Sequence, residues 1–337
     1  GLKYDGSEQD LVTPGAANGG TVKYSLDGTT WTDTVPKGRN AGTYNVQYKI
    51  VGDATHADSP AQPLSVTIGP KEVTVSGITA ANKKYDGKNT ATVDATGANF
   101  TGKVDGDTLT ITPTGTFADA NVGENKTVTL TLGSLSGASA TNYTLDTANS
   151  QSEATADITA KDVTISGITA TNRSYEKDNL SVALTNGTVV GAVTGEDVTV
   201  DLTNAKGTMA DANAGTGKAV TVTGVALGGT AKDNYNLTAQ PSGVRVNITQ
   251  ATYGNKTASG SAKYGASGTV DLSGLIVAGG TASYKSVTDT DNVLNGTPAM
   301  DADGKTLTFA FRDVAANAAK TATVKVTVTS VNYANYD

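Results

Sequence analysis

The sequence predicts an all-β protein: tandem immunoglobulin-like β-sandwich domains arranged as an elongated rod. Three observations carry that expectation. First, the stretch KEVTVSGITAANKKY, from Lys71 to Tyr85, returns 90 residues later as KDVTISGITATNRSY, from Lys161 to Tyr175, with ten of fifteen positions identical. That period exceeds the roughly 20 to 50 residues of a solenoid unit and suits a whole small domain. Second, short runs rich in Val, Ile and Thr alternate apolar with polar residues, with turn signals about every eight to twelve residues. Third, no window spaces its apolar residues as a helix of about ten residues requires. A small barrel is the alternative architecture.

The composition narrows the chemistry. Only 17% of the 337 residues are charged, and 39 glycines with 8 prolines punctuate a Thr-rich chain into short strands and turns. The net charge of −7 and the absence of a Lys/Arg cluster set a nucleic-acid partner aside. With no cysteine there is no disulfide staple, thiolate nucleophile or Cys-ligated metal. Each domain therefore stands on an aliphatic core, since aromatics make up only 5%. No apolar stretch is long enough to span a bilayer, so no membrane insertion is expected.

Four segments follow in order. Residues 1–69 open at KYDG, matching the KYDG at Lys84, so a preceding strand is expected to be missing. An Asp27-Gly28 turn between Thr21 and Trp31 signals a hairpin, and Tyr44, Val46 and Tyr48 alternate with Asn45, Gln47 and Lys49. PLSVTI closes the segment before Gly69-Pro70 breaks the chain. Residues 70–160 offer strands at EVTVSGI, TATVDA, DTLTITP, KTVTLTL, NYTL and EATADIT; Val128, Leu130 and Leu132 fall on one face and Thr127, Thr129 and Thr131 on the other. Residues 161–250 repeat the plan. GTFADANVG at Gly115 matches GTMADANAG at Gly207, and Asn142-Tyr143 matches Asn234-Tyr235, both at an offset of 92; the offset is 90 again at Ile158 and Ile248, which places the length changes in loops. Residues 251–337 diverge, yet Asn317 precedes an alternating run as Asn121 and Asn213 do, and Asn332-Tyr333 resembles Asn142-Tyr143. A last strand is expected to be missing there, so the sequence reads as part of something longer. Junctions such as ITAKD and ITQAT lack a flexible tether. Strands of about nine residues rising about 3.3 Å each give units roughly 30 Å long, or about 120 Å for four end to end.

KKYDGKNTATV at Lys83, FADANVGENKTVTL at Phe117 and NYTL at Asn142 resemble the Tyr-Asp-Gly (YDG) repeats of large bacterial surface proteins and adhesins. The first segment looks like a sister module of Gram-positive surface proteins through YSLDGTTW, AGTYNVQYKIVGDATHADS and SVTI; the fourth resembles bacterial immunoglobulin-like repeats only generally. The third departs from the name-giving motif, with Glu176 and Lys177 where Asp86 and Gly87 stand. The resemblance implies a non-enzymatic stalk or spacer on an extracellular, wall-anchored or secreted protein, monomeric, with any glycan or surface-protein partner bound by other parts of that protein. It supplies no catalytic residues.

Several residues are candidates for chemistry. His56, the sole histidine, lies near Asp53, Asp58 and Ser59, which suggests a Ser-His-Asp relay or a metal ligand; no nucleophile elbow accompanies it, and a polar hairpin loop explains the same residues. Asp301, Asp303 and Gly304 begin like a calcium loop, but Lys305 takes the place of a third oxygen ligand. Asp105, Asp107, Asp289 and Asp291 are further calcium candidates, and turn capping accounts for all of them. Trp31 and Tyr24, with Tyr44 and Tyr48, are candidates for a sugar platform, which makes a carbohydrate-binding or glycoprotein-binding module in residues 1–69 or 251–337 the alternative function; hairpin or core packing is the competing role. Lys71 and Asn142 offer the residue types of an isopeptide crosslink, against a plainer reading of the lysine as a solvated guard of a strand edge.

Overall fold

A computed structural model describes residues 1–313 and 319–337. The chain divides into two compact units, Gly1–Lys161 and Asp162–Asp337. Among the described residues, strands dominate both, and helix is confined to two single 3-10 turns, Ala140–Asn142 and Lys232–Asn234. The signal at Asn317 lies outside the described residues.

In the first unit, residues 1–69 build a four-stranded sheet in the order Leu2–Lys3, Gln62–Gly69, Gly42–Gly52, Gly20–Ser25. Val46 and Ile68 are fully buried from adjacent strands of this sheet. The Asp27-Gly28 turn forms, with Gly28 at φ 76°, but the predicted hairpin closes with one bridge, Tyr24 to Thr32. The Asp27 carboxylate accepts the N–H groups of Thr29 and Thr30, which draws the chain off the ladder; Gly20–Ser25 pairs with Gly42–Gly52 instead.

Residues 71–159 form a five-stranded sheet in the order Thr90–Ala91, Thr114–Phe117, Gly123–Thr131, Glu153–Thr159, Lys83–Lys84, and a three-stranded one in the order Asn99–Thr101, Lys71–Ser76, Tyr143–Leu145. Val128, Leu130 and Leu132 are buried and Thr127, Thr129 and Thr131 exposed, as their two-residue spacing requires. Thr114–Phe117 is a strand whose residues the sequence marks only as part of the GTFADANVG repeat. It buries Phe117, and a Cβ on Gly115 would fall 2.5 Å from Val93 Cγ1, so glycine allows the close approach. The sheets are not purely antiparallel: Tyr143–Leu145 runs parallel to Lys71–Ser76, and a second parallel pairing recurs from segment to segment. The two-residue strand before the tyrosine runs parallel to the strand that closes its own segment, at Leu2–Lys3 and again at Lys83–Lys84.

The second unit repeats this scheme over residues 161–249. Arg173–Ser174 is parallel to Arg245–Thr249, which pairs with Gly215–Thr223, then Lys206–Met209 and Ser181–Val182; Leu184–Val190, Lys161–Ala170 and Tyr235–Leu237 make the smaller sheet. One apolar cluster draws Ile165 and Ile168 from the smaller sheet and Val220, Val246 and Ile248 from the larger. Residues 251–337 are thinner. Ser267–Asp271, Thr306–Ala310 and Ala299–Met300 form one sheet, Thr281–Thr288 and Thr323–Thr329 another, over a small cluster of Val277, Ala282, Val328 and Tyr336.

Candidate functional site

The residues singled out for chemistry are mostly committed to turns. His56 Nδ1 contacts Asp53 Oδ1 at 2.9 Å, but Asp58 accepts Gly52 N–H and Ser59 Oγ accepts Ile50 N–H, so the triad residues face separate partners. Asp301 accepts the N–H groups of Thr306 and Lys305, and the bond from Thr306, ahead of those with Asp303 and Lys305, holds its carboxyl down at about 2. Asp303 also accepts from Lys305, and Asp289 caps Val293 and Leu294. Asp291 accepts weakly from Thr321, and Asp105 is exposed. Among the described residues, no three His, Asp or Glu side chains gather as metal ligands. The sugar platform needs correction at Tyr24: its ring is 6% exposed and its hydroxyl accepts Gly15 N–H, so it presents no face to solvent. Trp31 is half-buried with Lys49 Nζ 4.7 Å from its ring centroid, and Tyr44 donates to Asn40 O.

Asp107 and Asn142 belong to a different arrangement, built from the Tyr-Asp-Gly turn of one segment and the Asn-Tyr pair of the next. Parallel pairing of Leu2–Lys3 with the closing strand fixes Tyr4, whose N–H donates to Gly69 O at 2.9 Å. Its ring, 2% exposed, meets that of Tyr143 edge-on at 5.4 Å between centroids and 79° between planes. Both hydroxyls donate to one oxygen, Asp107 Oδ2, at 2.7 Å from Tyr4 and 2.5 Å from Tyr143. The Tyr143 hydroxyl also accepts Val104 N–H. Beside it the Asn142 side chain, 6% exposed, accepts Ala41 N–H at 2.8 Å and donates to Asn40 Oδ1. Asn142 is thus engaged as a docking residue. Gly6, at φ 84°, lies where a Cβ would fall 2.5 Å from Val104 Cγ1, so the glycine of the turn lets the segments close together.

Electrostatics tighten this cluster. Burial, then the Asp107 hydrogen bond, pushes the Tyr143 hydroxyl up to about 12, and Tyr4 is raised for the same reasons. The bond from Tyr143, ahead of that from Tyr4, holds the Asp107 carboxyl below the usual range.

The second unit contains the same device. Tyr175 N–H donates to Thr249 O, and its ring meets Tyr333 edge-on at 5.4 Å and 75°. Asn332 accepts Ala214 N–H at 2.8 Å and donates to Asn213 Oδ1 at 2.9 Å. The accepting loop is held by Asp211, which takes both Asn213 N–H and the Lys218 ammonium. Asp119 does the same with Asn121 and Lys126.

The Tyr-Asp-Gly turn is held differently in the second and third segments. Lys83 Nζ bonds Asp86, Lys88 O and Thr90 O. In the third segment Arg173 replaces it and donates to the carbonyls of Ser174, Asn179 and Ser181, while the left-handed residue moves from Gly87 to Asp178. A guanidinium reaching three carbonyls makes the missing aspartate unnecessary.

The sequence marked the Asn-Tyr pairs by their recurrence but not their partners, Asn40-Ala41 and Asn213-Ala214, nor the role of Tyr4 and Tyr175. The available signal was the Asn-Ala dipeptide ahead of a long strand at both places.

The YDG domain occurs twice in the chain, matching residues 69–151 and 159–243. No curated protein matches it.

Proposed function

We propose that the chain is a non-enzymatic structural segment: a spacer of immunoglobulin-like sandwiches in a secreted or wall-anchored bacterial surface protein of the adhesin type. Its task is to hold a distal binding domain at a set distance from its anchor. The observation that carries this reading is the docking of an Asn-Tyr pair onto the preceding Asn-Ala loop and tyrosine, once within each unit. Two side-chain hydrogen bonds and a ring contact fix an angle that an unstructured linker would leave free. Each bond contributes about 0.5–1.5 kcal/mol and each ring pair about as much again, enough to keep a joint closed most of the time.

Small-angle scattering on the intact chain tests the spacer. The expected maximum dimension is about 120 Å, with a sharper angular distribution than that of a chain carrying both Asn142→Ala and Asn332→Ala. A compact profile would count against the reading. Glycan-array binding by the intact chain would replace it with the recognition-module alternative, because a spacer binds no sugar.

A further inference from the structure

Residues 18–19, 186–187 and 295–296 each read Asn-Gly. In that dipeptide no side chain on the glycine shields its nitrogen, so the nitrogen can turn back on the asparagine amide. The fold gives the three pairs different surroundings. Asn186 lies within the strand Leu184–Val190, and its Nδ2 is tied to Thr169 Oγ1 at 2.7 Å. Asn295 and Gly296 are exposed, and among the described residues nothing but chain neighbours lies within 4 Å of where a Cβ on Gly296 would stand.

Asn18 is exposed too, but Gly19 is covered by the sole histidine. A Cβ on Gly19 would fall 2.5 Å from His56 Nδ1 and 2.6 Å from its Cε1, so the imidazole occupies the side of the glycine that a side chain would take. Asp53 fixes it there: its Oδ1 lies 2.9 Å from His56 Nδ1, and its N–H donates to Gly19 O at 3.0 Å. A carboxylate only accepts, so the proton of the neutral ring is on Nδ1 and the lone pair is on Nε2. Away from Gly19 the His56 side chain is open to water, at 59% exposure. Among the described residues nothing accepts the Gly19 N–H.

We propose that Asn18 is a self-modifying residue, with His56, oriented by Asp53, as the general base that closes Asn18 and Gly19 to a cyclic imide. Nε2 takes the Gly19 amide proton through one water, and the Gly19 nitrogen attacks Asn18 Cγ. The new C–N bond displaces the side-chain nitrogen, which leaves as ammonia with the proton that the imidazole had taken. Water then opens the imide at either carbonyl and leaves aspartate or isoaspartate at position 18, so water is the only co-reactant. Isoaspartate carries the main chain through its Cβ, one atom longer than before. The extra atom falls directly ahead of the Gly19 O to Asp53 bond and of the Gly20–Gly52 pair at the end of the sheet of residues 1–69. The modification therefore loosens that end of the sheet as the molecule ages. This inference is independent of the spacer reading.

The test incubates the intact chain at neutral pH and follows, by mass spectrometry of its peptides, the replacement of amide by carboxyl at Asn18 and Asn295. Asn18 is expected to convert about tenfold faster than Asn295. His56→Gln keeps a polar side chain without a base, and should slow Asn18 by about tenfold while leaving Asn295 unchanged. A merely steric role for the ring predicts the opposite, since removing a cover speeds closure. The free peptide TPGAANGGTVK, the sequence of residues 13–23, holds the same pair without His56 and does not depend on how a variant folds. It should convert about fivefold more slowly than the intact chain. Conversion of Asn18 no faster than that of Asn295, an equal or higher rate in His56→Gln, or a free peptide that outpaces the chain would each overturn the proposal.

Discussion

The joint in the first unit concentrates in Tyr143 what the joint in the second unit divides between Tyr333 and Tyr336. Tyr143 supplies the ring that meets Tyr4 and the hydroxyl that accepts Val104 N–H and donates to Asp107. In the second unit the ring meeting Tyr175 is that of Tyr333, while the Tyr336 hydroxyl accepts Val277 N–H and donates to Leu275 O. Tyr253 bridges the pair, with centroids 5.6 Å from Tyr333 and 5.0 Å from Tyr336. The docking asparagine is alike in both joints, so the geometry requires an amide at that point and a ring beside it. It does not require one side chain to anchor both its own segment and its neighbour.

The largest break in this comparison is removal of the ring. Tyr143→Ala deletes stacking, an accepted and a donated hydrogen bond from a site 6% exposed, and should lower the opening free energy of residues 71–159 by about 3–5 kcal/mol. Tyr333→Ala should cost about half as much in the second unit, because Tyr333 is half-buried and Tyr336 keeps its bonds. Site-resolved hydrogen exchange separates the two effects where a single melting curve would blend them. Equal losses would show that the roles are not divided.

The hydroxyls sharpen it further. Tyr143→Phe and Tyr336→Phe each strand a main-chain N–H, Val104 or Val277, and should cost about 1–3 kcal/mol. Tyr333→Phe should fall within about 0.5 kcal/mol of the parent. In the third segment Tyr235 accepts Val193 N–H and donates to Glu196, so Tyr235→Phe belongs with the costly group.

Why these partners escaped the sequence follows from what a sequence encodes. Alternation along KTVTLTL is local, and it placed Val128, Leu130 and Leu132 on the buried face without reference to anything else. The 90-residue repeat likewise gave the strands of residues 71–159 and 161–249. Asn142, by contrast, docks on a loop about a hundred residues away, and the Asn-Ala dipeptide there does not by itself name its partner; the Asp27-Gly28 letters even point to a hairpin in the first segment that shrinks to one bridge. In the sequence Asp107 is one of a pair of acids that suits a calcium site or a turn cap, because its two tyrosine donors lie 103 and 36 residues off. Thr114–Phe117 is not legible as a strand in the sequence because its glycine and short length match a loop, and only the close approach to Val93 explains them.

Acid and base distinguish the joints next. Asp107 has its carboxyl held low by Tyr143 and Tyr4, so its contribution is present above the ordinary carboxylate range near pH 4 and is lost as pH falls through the lower folded value. Tyr143 runs the other way: its contribution is full below about pH 10 and disappears as pH rises toward about 12. The first joint should therefore loosen at both extremes. Among the described residues the Tyr333–Tyr175 contact has no bonded carboxylate, and it should be the less sensitive to acid. Asp107→Asn should flatten the acid limb of exchange in residues 71–159, and an unchanged limb would remove Asp107 from the account.

The smallest expected effect concerns the two versions of the turn. Lys83 reaches Asp86 and two carbonyls from one ammonium, whereas Arg173 spreads three carbonyl bonds across a planar fork. Arg173→Lys should lose about 1 kcal/mol, because the residue facing the ammonium would be Glu176, which is already bonded to Asn179. Lys83→Arg should cost less, about 0.5 kcal/mol, since the carbonyls remain and Asp86 can still pair with a guanidinium. If the two exchanges were equally neutral, the carbonyl bonds would not be what holds the turn, and the ability of the third segment to dispense with Asp86 and Gly87 would need a cause in the loop from Glu176 to Asn179, where Asp178 carries the left-handed backbone at φ 62°.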